Sequence, residues 1–307
     1  MSGITKFVLA LAAALVAAAF LSGCSSLTRL YFQPRALWLQ TPDRFGVQYE
    51  DVWLTAEDGV KLHAWYLKPE TLVEGSPVVL FFHGNAENVS THARSIYWLV
   101  NEGYRVLALD YRGFGASEGE AALPGVVLDA KAAAGWIVEN LPDDRIVVLG
   151  QSMGGAVAVN FVADYGSQFP VDQVVIDASF AGFRTVARDI LTRSPVGYLL
   201  WPFVGLVPDD WEPAKKAPQL TMPVMVMHSR MDQVVSVEEG KALFAALPAE
   251  HKCWVDSRGP HVATFRYGMM RSQFLDFIQR GDCPAEVEAE VAAEVEVSTP
   301  EEQLAAQ

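Results

Sequence analysis

One serine in this chain has the sequence context of a catalytic nucleophile. Ser152 lies in Gly150-Gln-Ser-Met-Gly154, between the mostly β-branched run Ile146–Leu149 and an Ala/Val-rich segment. At a tight strand-to-helix turn, flanking glycines let a serine hydroxyl project at the carboxyl end of a sheet, beside the free N–H groups of the next helix. The spacing therefore predicts a nucleophile at Ser152. A Gly-Ser turn without chemistry is the alternative.

A serine hydroxyl needs a general base, and the base needs an acid that orients it. The chain supplies both after Ser152 and in the expected order. Asp232 follows the apolar run Val224–Met227, and His261 follows a short strand pattern and a Gly-Pro turn. We predict Asp232 as the acid and His261 as the base. Asp177, at the end of an earlier apolar run, is the alternative acid.

A tetrahedral intermediate also needs donors for its oxyanion. The apolar run Pro77–Phe82 leads into His83-Gly-Asn85, where a second backbone donor is expected. We predict the N–H groups of Met153 and Asn85 as the donors, with Ala86 as the alternative to Asn85. We interpret His83 as a support for the turn rather than a base. The other histidines are interpreted as packing or surface residues: His63, His92, His228 and His251.

These motifs resemble the α/β-hydrolase superfamily. Within it they are similar to a His-Gly-Asn subgroup that contains bacterial lipoprotein or membrane-anchored hydrolases and depalmitoylase-like enzymes. The resemblance implies Ser152 as nucleophile, His261 as base and Asp232 as acid. Ser229, where a glycine is usual, and Val262-Ala-Thr264 depart from the pattern. The similar segments are Tyr49–Trp53, Asp58–Trp65, His83–Asn85, Asp110–Ser117, Gly150–Gly154, Asp232 and His261.

Strand patterns alternate with helical patterns along the chain, which favours an α/β fold with a mostly parallel sheet and helices on both faces. A small helical insertion, at about residues 181–222, is expected after the sixth strand. Such an insertion is either a lid or binding loop, or an ordinary helix that covers the sheet. We place the catalytic domain at 47–283, preceded by a tether and lead-in at 24–46.

The composition limits the classes of function. A formal net charge of −14 argues against nucleic-acid binding, and 51% hydrophobic residues argue against a disordered chain. Metal-ligand spacing, a phosphate loop and a dinucleotide fingerprint are all absent from the sequence, so we expect no metal and no cofactor. Residues 284–307 contain seven glutamates and no basic residue, which predicts an acidic disordered tail.

The N-terminus has the pattern of an export signal. Lys6 precedes the apolar run Phe7–Phe20, and Leu21-Ser-Gly-Cys24 resembles a bacterial lipobox. We predict a lipoprotein signal peptide at 1–23 and lipidation of Cys24. Because Ser25 rather than aspartate follows, the predicted location is the outer membrane, facing the periplasm. An ordinary secretory signal or an uncleaved anchor is the alternative.

With Cys24 assigned to lipid, Cys253 and Cys283 remain as a pair in an oxidising compartment. Cys253 opens the predicted last strand, and the helix after His261 runs back toward that strand's start. We therefore predict a disulfide between Cys253 and Cys283; two unpaired cysteines are the alternative.

Taken together, the residues predict a membrane-anchored serine hydrolase whose partners are an acyl ester or thioester substrate and, through lipid, the membrane. The reaction would pass through an acyl-enzyme intermediate. The alternatives are a serine peptidase or amidase of the same fold, and a lipoprotein that uses the fold as a non-catalytic binding scaffold.

Overall fold

The computed structural model describes residues 28–192, 201–206, 208–248 and 250–283. Its central element is an eight-stranded sheet with the order β1-β2-β4-β3-β5-β6-β7-β8. The strand β2 pairs antiparallel with β1 and β4, and every other neighbouring pair is parallel. The strands are β1 (Gln48–Thr55), β2 (Lys61–Lys68), β3 (Val78–Phe82), β4 (Arg105–Asp110), β5 (Ile146–Gln151), β6 (Val171–Asp177), β7 (Val224–Ser229) and β8 (Lys252–Ser257).

Helices cover both faces of the sheet. On one face α3, α4 and α7 contribute to a large apolar core, and on the other α1, α2 and α8 contribute to a second core. The bounds are α1 (Val89–His92), α2 (Tyr97–Asn101), α3 (Gly125–Asn140), α4 (Met153–Tyr165), α5 (Phe183–Thr192), α6 (Pro213–Lys216), α7 (Val237–Ala246) and α8 (Gly268–Arg280). Short 3-10 segments are Arg29–Tyr31, Pro42–Phe45, Ala93–Ile96, Gly166–Gln168, Trp201–Leu206, Ala217–Gln219 and Thr264–Arg266.

Alternation along the buried strands explains the two cores. In β3, Leu80 and Phe82 face the core that contains α4, whereas Val79 and Phe81 face the core that contains α8. A strand covered on both faces reads as a continuous apolar run, which is how β3 and β5 appear in the sequence. The predicted mostly parallel sheet with helices on both faces is confirmed, as is the helical insertion after β6, which contains α5 and α6.

The segment that leads into the sheet is packed against the domain from Thr28 onward. Gln33–Pro34 pairs in parallel with Ala86–Glu87. The Asn88 side chain donates to the carbonyl oxygens of Arg35 and Leu37, at 2.9 and 2.8 Å. These bonds hold the lead-in against the loop after β3. The predicted signal peptide, Cys24 and the predicted acidic tail lie outside the described residues.

The end of the domain is closed by a covalent bond. α8 runs antiparallel to β8, and Cys283 returns to the start of that strand, where it forms a disulfide with Cys253. The two Cα atoms are 5.5 Å apart.

Within the described residues, no helix is both long and apolar enough to cross a membrane.

Candidate active site

The turn between β5 and α4 holds Ser152 in a strained conformation. Its backbone has φ 54° and ψ −120°. This conformation is energetically unfavourable for any residue that carries a side chain. The Ser152 N–H donates to the carbonyl oxygen of Asp177 at 2.8 Å, which ties the turn to the neighbouring strand β6. Surrounding contacts of this kind keep the serine raised at the carboxyl end of the sheet.

The glycines around Ser152 are required by close packing. A Cβ atom at Gly150 would lie 2.3 Å from the carbonyl oxygen of Gly154, and one at Gly154 would lie 2.0 Å from that of Phe82. At Gly155 it would lie 2.6 Å from the Ser179 side chain. The spacing of glycines therefore reflects a turn and helix start pressed against β3 and the loop after β6.

His261 bridges the predicted nucleophile and the predicted acid. Its Nε2 lies 2.9 Å from the Ser152 hydroxyl oxygen, and its Nδ1 lies 2.7 Å from Oδ2 of Asp232. The three residues follow β5, β7 and β8, whose carboxyl ends meet at one edge of the sheet. The fold thus brings together three side chains that are distant in the sequence.

Asp232 is held by two backbone groups in addition to the histidine. Its Oδ1 accepts the N–H groups of Val234 and Val235, at 2.8 and 3.0 Å, which leaves Oδ2 facing His261. Burial raises the pKa of Asp232, but hydrogen bonds from His228 and His261 outweigh burial and hold this pKa well below its usual range. Asp232 is therefore an ionised acceptor at neutral pH.

His228 is a site residue that the sequence interpretation missed. Its imidazole is fully buried, with Nε2 3.0 Å from the Val235 carbonyl oxygen and 3.5 Å from Oδ2 of Asp232. Because both neighbours are oxygens, Nε2 must carry the proton. A Cβ atom at Gly240 would lie 2.2 Å from Nδ1, so α7 closes the other side of the ring. The sequence signal that could have indicated this role is that His228 precedes the predicted acid Asp232 by only four residues.

The two departures from the family pattern have structural roles. The Ser229 hydroxyl accepts the Met231 N–H at 3.1 Å and so supports the turn that carries Asp232. The Thr264 hydroxyl donates to Oδ1 of Asp177 at 2.6 Å and anchors the loop that carries His261. Val262 lies between His261 and Thr264 in the sequence and has φ 51°, a conformation that is unfavourable for a β-branched residue.

Asp177, the alternative acid, lies behind this constellation. Its side chain is fully buried, and Oδ2 accepts from Gln151 Nε2 at 2.9 Å. Burial raises the pKa of Asp177, while the hydrogen bonds from Thr264 and Gln151 act in the opposite direction. The carboxylate that accepts the hydrogen bond from His261 Nδ1 is that of Asp232, so Asp177 acts as a structural link between β5, β6 and the histidine loop.

The predicted oxyanion donors lie on the same side of Ser152. Met153 is the first residue of α4, where a backbone N–H has no acceptor within the helix. Asn85 lies with Met153 in the wall of one cavity, and its carbonyl and side-chain oxygens both accept from Gln33 N–H, at 3.2 and 3.1 Å. His83 is buried with Nδ1 2.7 Å from the Gly84 carbonyl oxygen, which agrees with a turn support. The donor roles stay predictions.

A cavity of about 390 Å³ opens beside the Ser152 hydroxyl. Apolar side chains from at least four parts of the chain form much of its wall: Tyr31, Met153, Phe180, Val186, Val234 and Val235. Val186 belongs to α5, so the insertion contributes to the cavity. Trp201, further along the insertion, is half exposed and lies 5.8 Å from the Arg188 guanidinium.

Comparison with known proteins shows the family of the chain. The family described as "Serine aminopeptidase, S33" matches residues 74–202. The alpha/beta hydrolase domain-containing protein WAV2 of Arabidopsis thaliana is 30% identical over 226 residues, which cover 69% of this chain and 70% of WAV2. The chain belongs to the α/β-hydrolase superfamily. The hydrolase is also 29% identical to YfhR of Salmonella typhi over 275 residues, 83% of this chain and 88% of YfhR.

A solved structure extends the similarity to three dimensions. The esterase Pf2001 of Pyrococcus furiosus matches the hydrolase with a TM-score of 0.67 and 26% sequence identity. The match covers 81% of this chain and 98% of the esterase. The hydrolase therefore shares the fold of an esterase, and the similarity extends over nearly the whole length of that esterase.

Proposed function

We propose that the hydrolase cleaves carboxylesters or thioesters through an acyl-enzyme intermediate formed on Ser152. The observation that carries this proposal is the pair of hydrogen-bond distances at His261, 2.9 Å to the Ser152 hydroxyl and 2.7 Å to the Asp232 carboxylate. A nucleophile, a base and an orienting acid in this arrangement define the serine-hydrolase mechanism on several unrelated folds.

In the first step Ser152 Oγ attacks the acyl carbonyl carbon while His261 Nε2 takes the hydroxyl proton. Asp232 accepts from Nδ1–H, which keeps the correct tautomer and stabilises the imidazolium that forms. The Met153 and Asn85 N–H groups receive the oxyanion, aided by the positive end of α4. His261 then protonates the leaving group, and a water that His261 activates releases the acyl group.

The walls of the cavity favour an acyl group as the part of the substrate bound beside Ser152. Apolar side chains such as Phe180 and Val186 offer a surface to a hydrocarbon chain but no polar partners for its atoms. The structural similarity to an esterase supports the same substrate class. Alcohols and thiols are also better leaving groups than amines, which favours esters and thioesters over amides.

Amide cleavage at a substrate amino terminus is the second candidate. Two carboxylates, Asp189 and Glu239, lie in the wall of the same cavity, where they could receive an ammonium group. The Glu239 carboxylate already accepts from Ala181 N–H and the Thr185 hydroxyl, so Asp189 is the freer of the two. The match to the serine aminopeptidase family supports this alternative.

A panel of ester, thioester and anilide substrates separates the candidates. We expect octanoyl p-nitrophenyl ester and octanoyl thioester to be hydrolysed, with alanyl p-nitroanilide at least 100-fold slower in kcat/KM, a difference of about 2.7 kcal/mol. The Ser152→Ala variant controls for background hydrolysis. Faster cleavage of the anilide than of the esters would overturn the ester proposal in favour of the peptidase.

We further propose that the hydrolase is a lipoprotein, anchored through Cys24 to the outer membrane and facing the periplasm. The support is the Leu21–Cys24 pattern after an apolar run. Export also agrees with the Cys253–Cys283 disulfide, since such bonds persist in oxidising compartments. Cys24→Ala should abolish incorporation of labelled fatty acid; unchanged incorporation would rule out this anchor.

A further inference from the structure

A second cavity adjoins the first at the proposed catalytic histidine. It has a volume of about 470 Å³. Its wall shares His92, His261 and Val262 with the cavity of about 390 Å³ beside Ser152, which we call the acyl cavity. Unlike the acyl cavity, it is lined by three arginines, Arg94, Arg266 and Arg271. They come from the 3-10 segment before α2, from the segment after His261 and from α8.

These three arginines have no carboxylate partner in the part of the chain that the structure describes. The Arg94 guanidinium lies 5.1 Å from the Phe45 ring, and that of Arg271 lies 5.4 Å from the Trp98 ring. Arg271 also donates from Nε to a backbone oxygen at 2.6 Å. By contrast, the partly buried Arg105 and the buried Arg112 each form ion pairs with aspartates.

An unpaired group of cations is unusual in a chain whose formal net charge is −14. Three like charges around one cavity repel each other, and an anion bound between them would relieve that repulsion. Guanidinium groups also present planar pairs of donors that match the oxygens of phosphate and carboxylate groups.

The position of this cavity relates it to the leaving group. In the proposed mechanism the leaving oxygen or sulfur must approach His261 Nε2 to be protonated, while the acyl chain occupies the apolar cavity. The substituents of the leaving group then extend past His261, and the second cavity begins at that residue. The arginines line the space into which those substituents would extend.

We propose that the second cavity binds the leaving group and selects substrates whose alcohol or thiol carries an anionic group of the phosphate or carboxylate type. The inference rests on the proposed function of Ser152 and His261. In the reaction the bond from Ser152 Oγ to the acyl carbon forms, and the bond from that carbon to the leaving oxygen breaks. The serine proton passes through His261 to the leaving alcohol, which departs with its anionic group.

The test compares two esters that differ only in the anion. Octanoylglycerol and octanoylglycerol 3-phosphate have the same acyl group and the same ester bond. At fixed ionic strength we expect the full-length hydrolase to prefer the phosphate ester by at least about tenfold in kcat/KM, or about 1.4 kcal/mol. Free glycerol 3-phosphate should inhibit more strongly than inorganic phosphate at the same concentration, which separates a headgroup subsite from a site for inorganic phosphate.

The arginine variant Arg94→Gln/Arg266→Gln removes two exposed cations from the second cavity. We expect the preference for the phosphate ester to fall at least fivefold. The control Arg145→Gln/Arg280→Gln removes the same charge at the opposite edge of the sheet, and it should keep the preference. A wild-type preference near one, or a preference that survives in the first variant, would overturn the proposal.

A non-hydrolysable ether analogue separates this proposal from the proposed function. Calorimetry should show that octylglycerol 3-phosphate ether binds the wild type more tightly than the Arg94→Gln/Arg266→Gln variant. If neither ester is cleaved but the analogue still binds through the arginines, the esterase proposal fails and the anion subsite stands. If esters are cleaved but binding of the analogue is independent of the arginines, the subsite proposal fails alone.

Discussion

Replacing Asp232 with asparagine tests the assignment of the acid. Oδ1 of Asp232 accepts two backbone N–H groups, so an asparagine would keep its amide oxygen there and direct its NH₂ group at His261 Nδ1. Two donors would then face each other across a contact that is now 2.7 Å. To relieve this clash, the histidine proton must move to Nε2, where the ring can no longer accept the proton of Ser152.

The expected loss in Asp232→Asn is about 10⁴-fold in kcat, which corresponds to about 5.4 kcal/mol of transition-state stabilisation. Asp177→Asn is the matched control, because it makes the same change in a buried carboxylate at the end of the adjacent strand. The Thr264 hydroxyl can turn to Ser257, 3.1 Å away, when an amide replaces its acceptor. We expect that variant to lose less than tenfold in kcat.

The assay is hydrolysis of octanoyl p-nitrophenyl ester at pH 8, with thermal melting of each variant to exclude unfolding. A nearly inactive Asp177→Asn beside a nearly normal Asp232→Asn would refute the reasoning, because it would identify Asp177 as the partner of His261. Equal losses in two folded variants would show that the hydrogen-bond geometry does not determine the role of either carboxylate.

Three further predictions concern stability. Gly154→Ala should lower the free energy of unfolding in urea by about 1–3 kcal/mol through overpacking, whereas Gly135→Ala, in open space on α3, should raise it by about 1 kcal/mol. Cys253→Ser/Cys283→Ser should lower it by about 3–4 kcal/mol, since the bond closes a loop of 30 residues; unchanged stability would contradict this. Burial and a neighbouring histidine lower the pKa of His92 to about 4 from 6.5. Between these pH values the unfolded chain therefore binds a proton at this histidine that the folded chain does not. When the pH is lowered from 6.5 to 4, the free energy of unfolding should fall by about 3 kcal/mol more in the wild type than in His92→Gln.

The strand, turn and helix around Ser152 could be predicted from the sequence, because the local chain carries its own constraints. Three glycines fix where the backbone can approach its neighbours, and β-branched residues before them mark a buried strand. The positions of Asp232 and His261 after later strands followed from the same reasoning, since parallel strands end at one edge of the sheet.

Other features of the site depend on contacts between distant segments. His228 reads in the sequence as the end of an apolar strand, and only the packing of α7 against its ring reveals a buried neighbour of Asp232. The arginines at 94, 266 and 271 are separated by whole strands and helices. Local patterns carry no information about such a grouping, which arises only when α8 and the segment before α2 pack on the same face of the sheet.

The central claim is that Ser152 is the nucleophile, and covalent labelling tests it most directly. A fluorophosphonate probe should modify the wild type at one site, and mass spectrometry of the digested protein should locate the adduct on Ser152. Labelling should disappear in Ser152→Ala, a variant that keeps its melting temperature, and should slow sharply in His261→Gln. An adduct on another residue, or labelling of folded Ser152→Ala at the wild-type rate, would contradict the proposed mechanism.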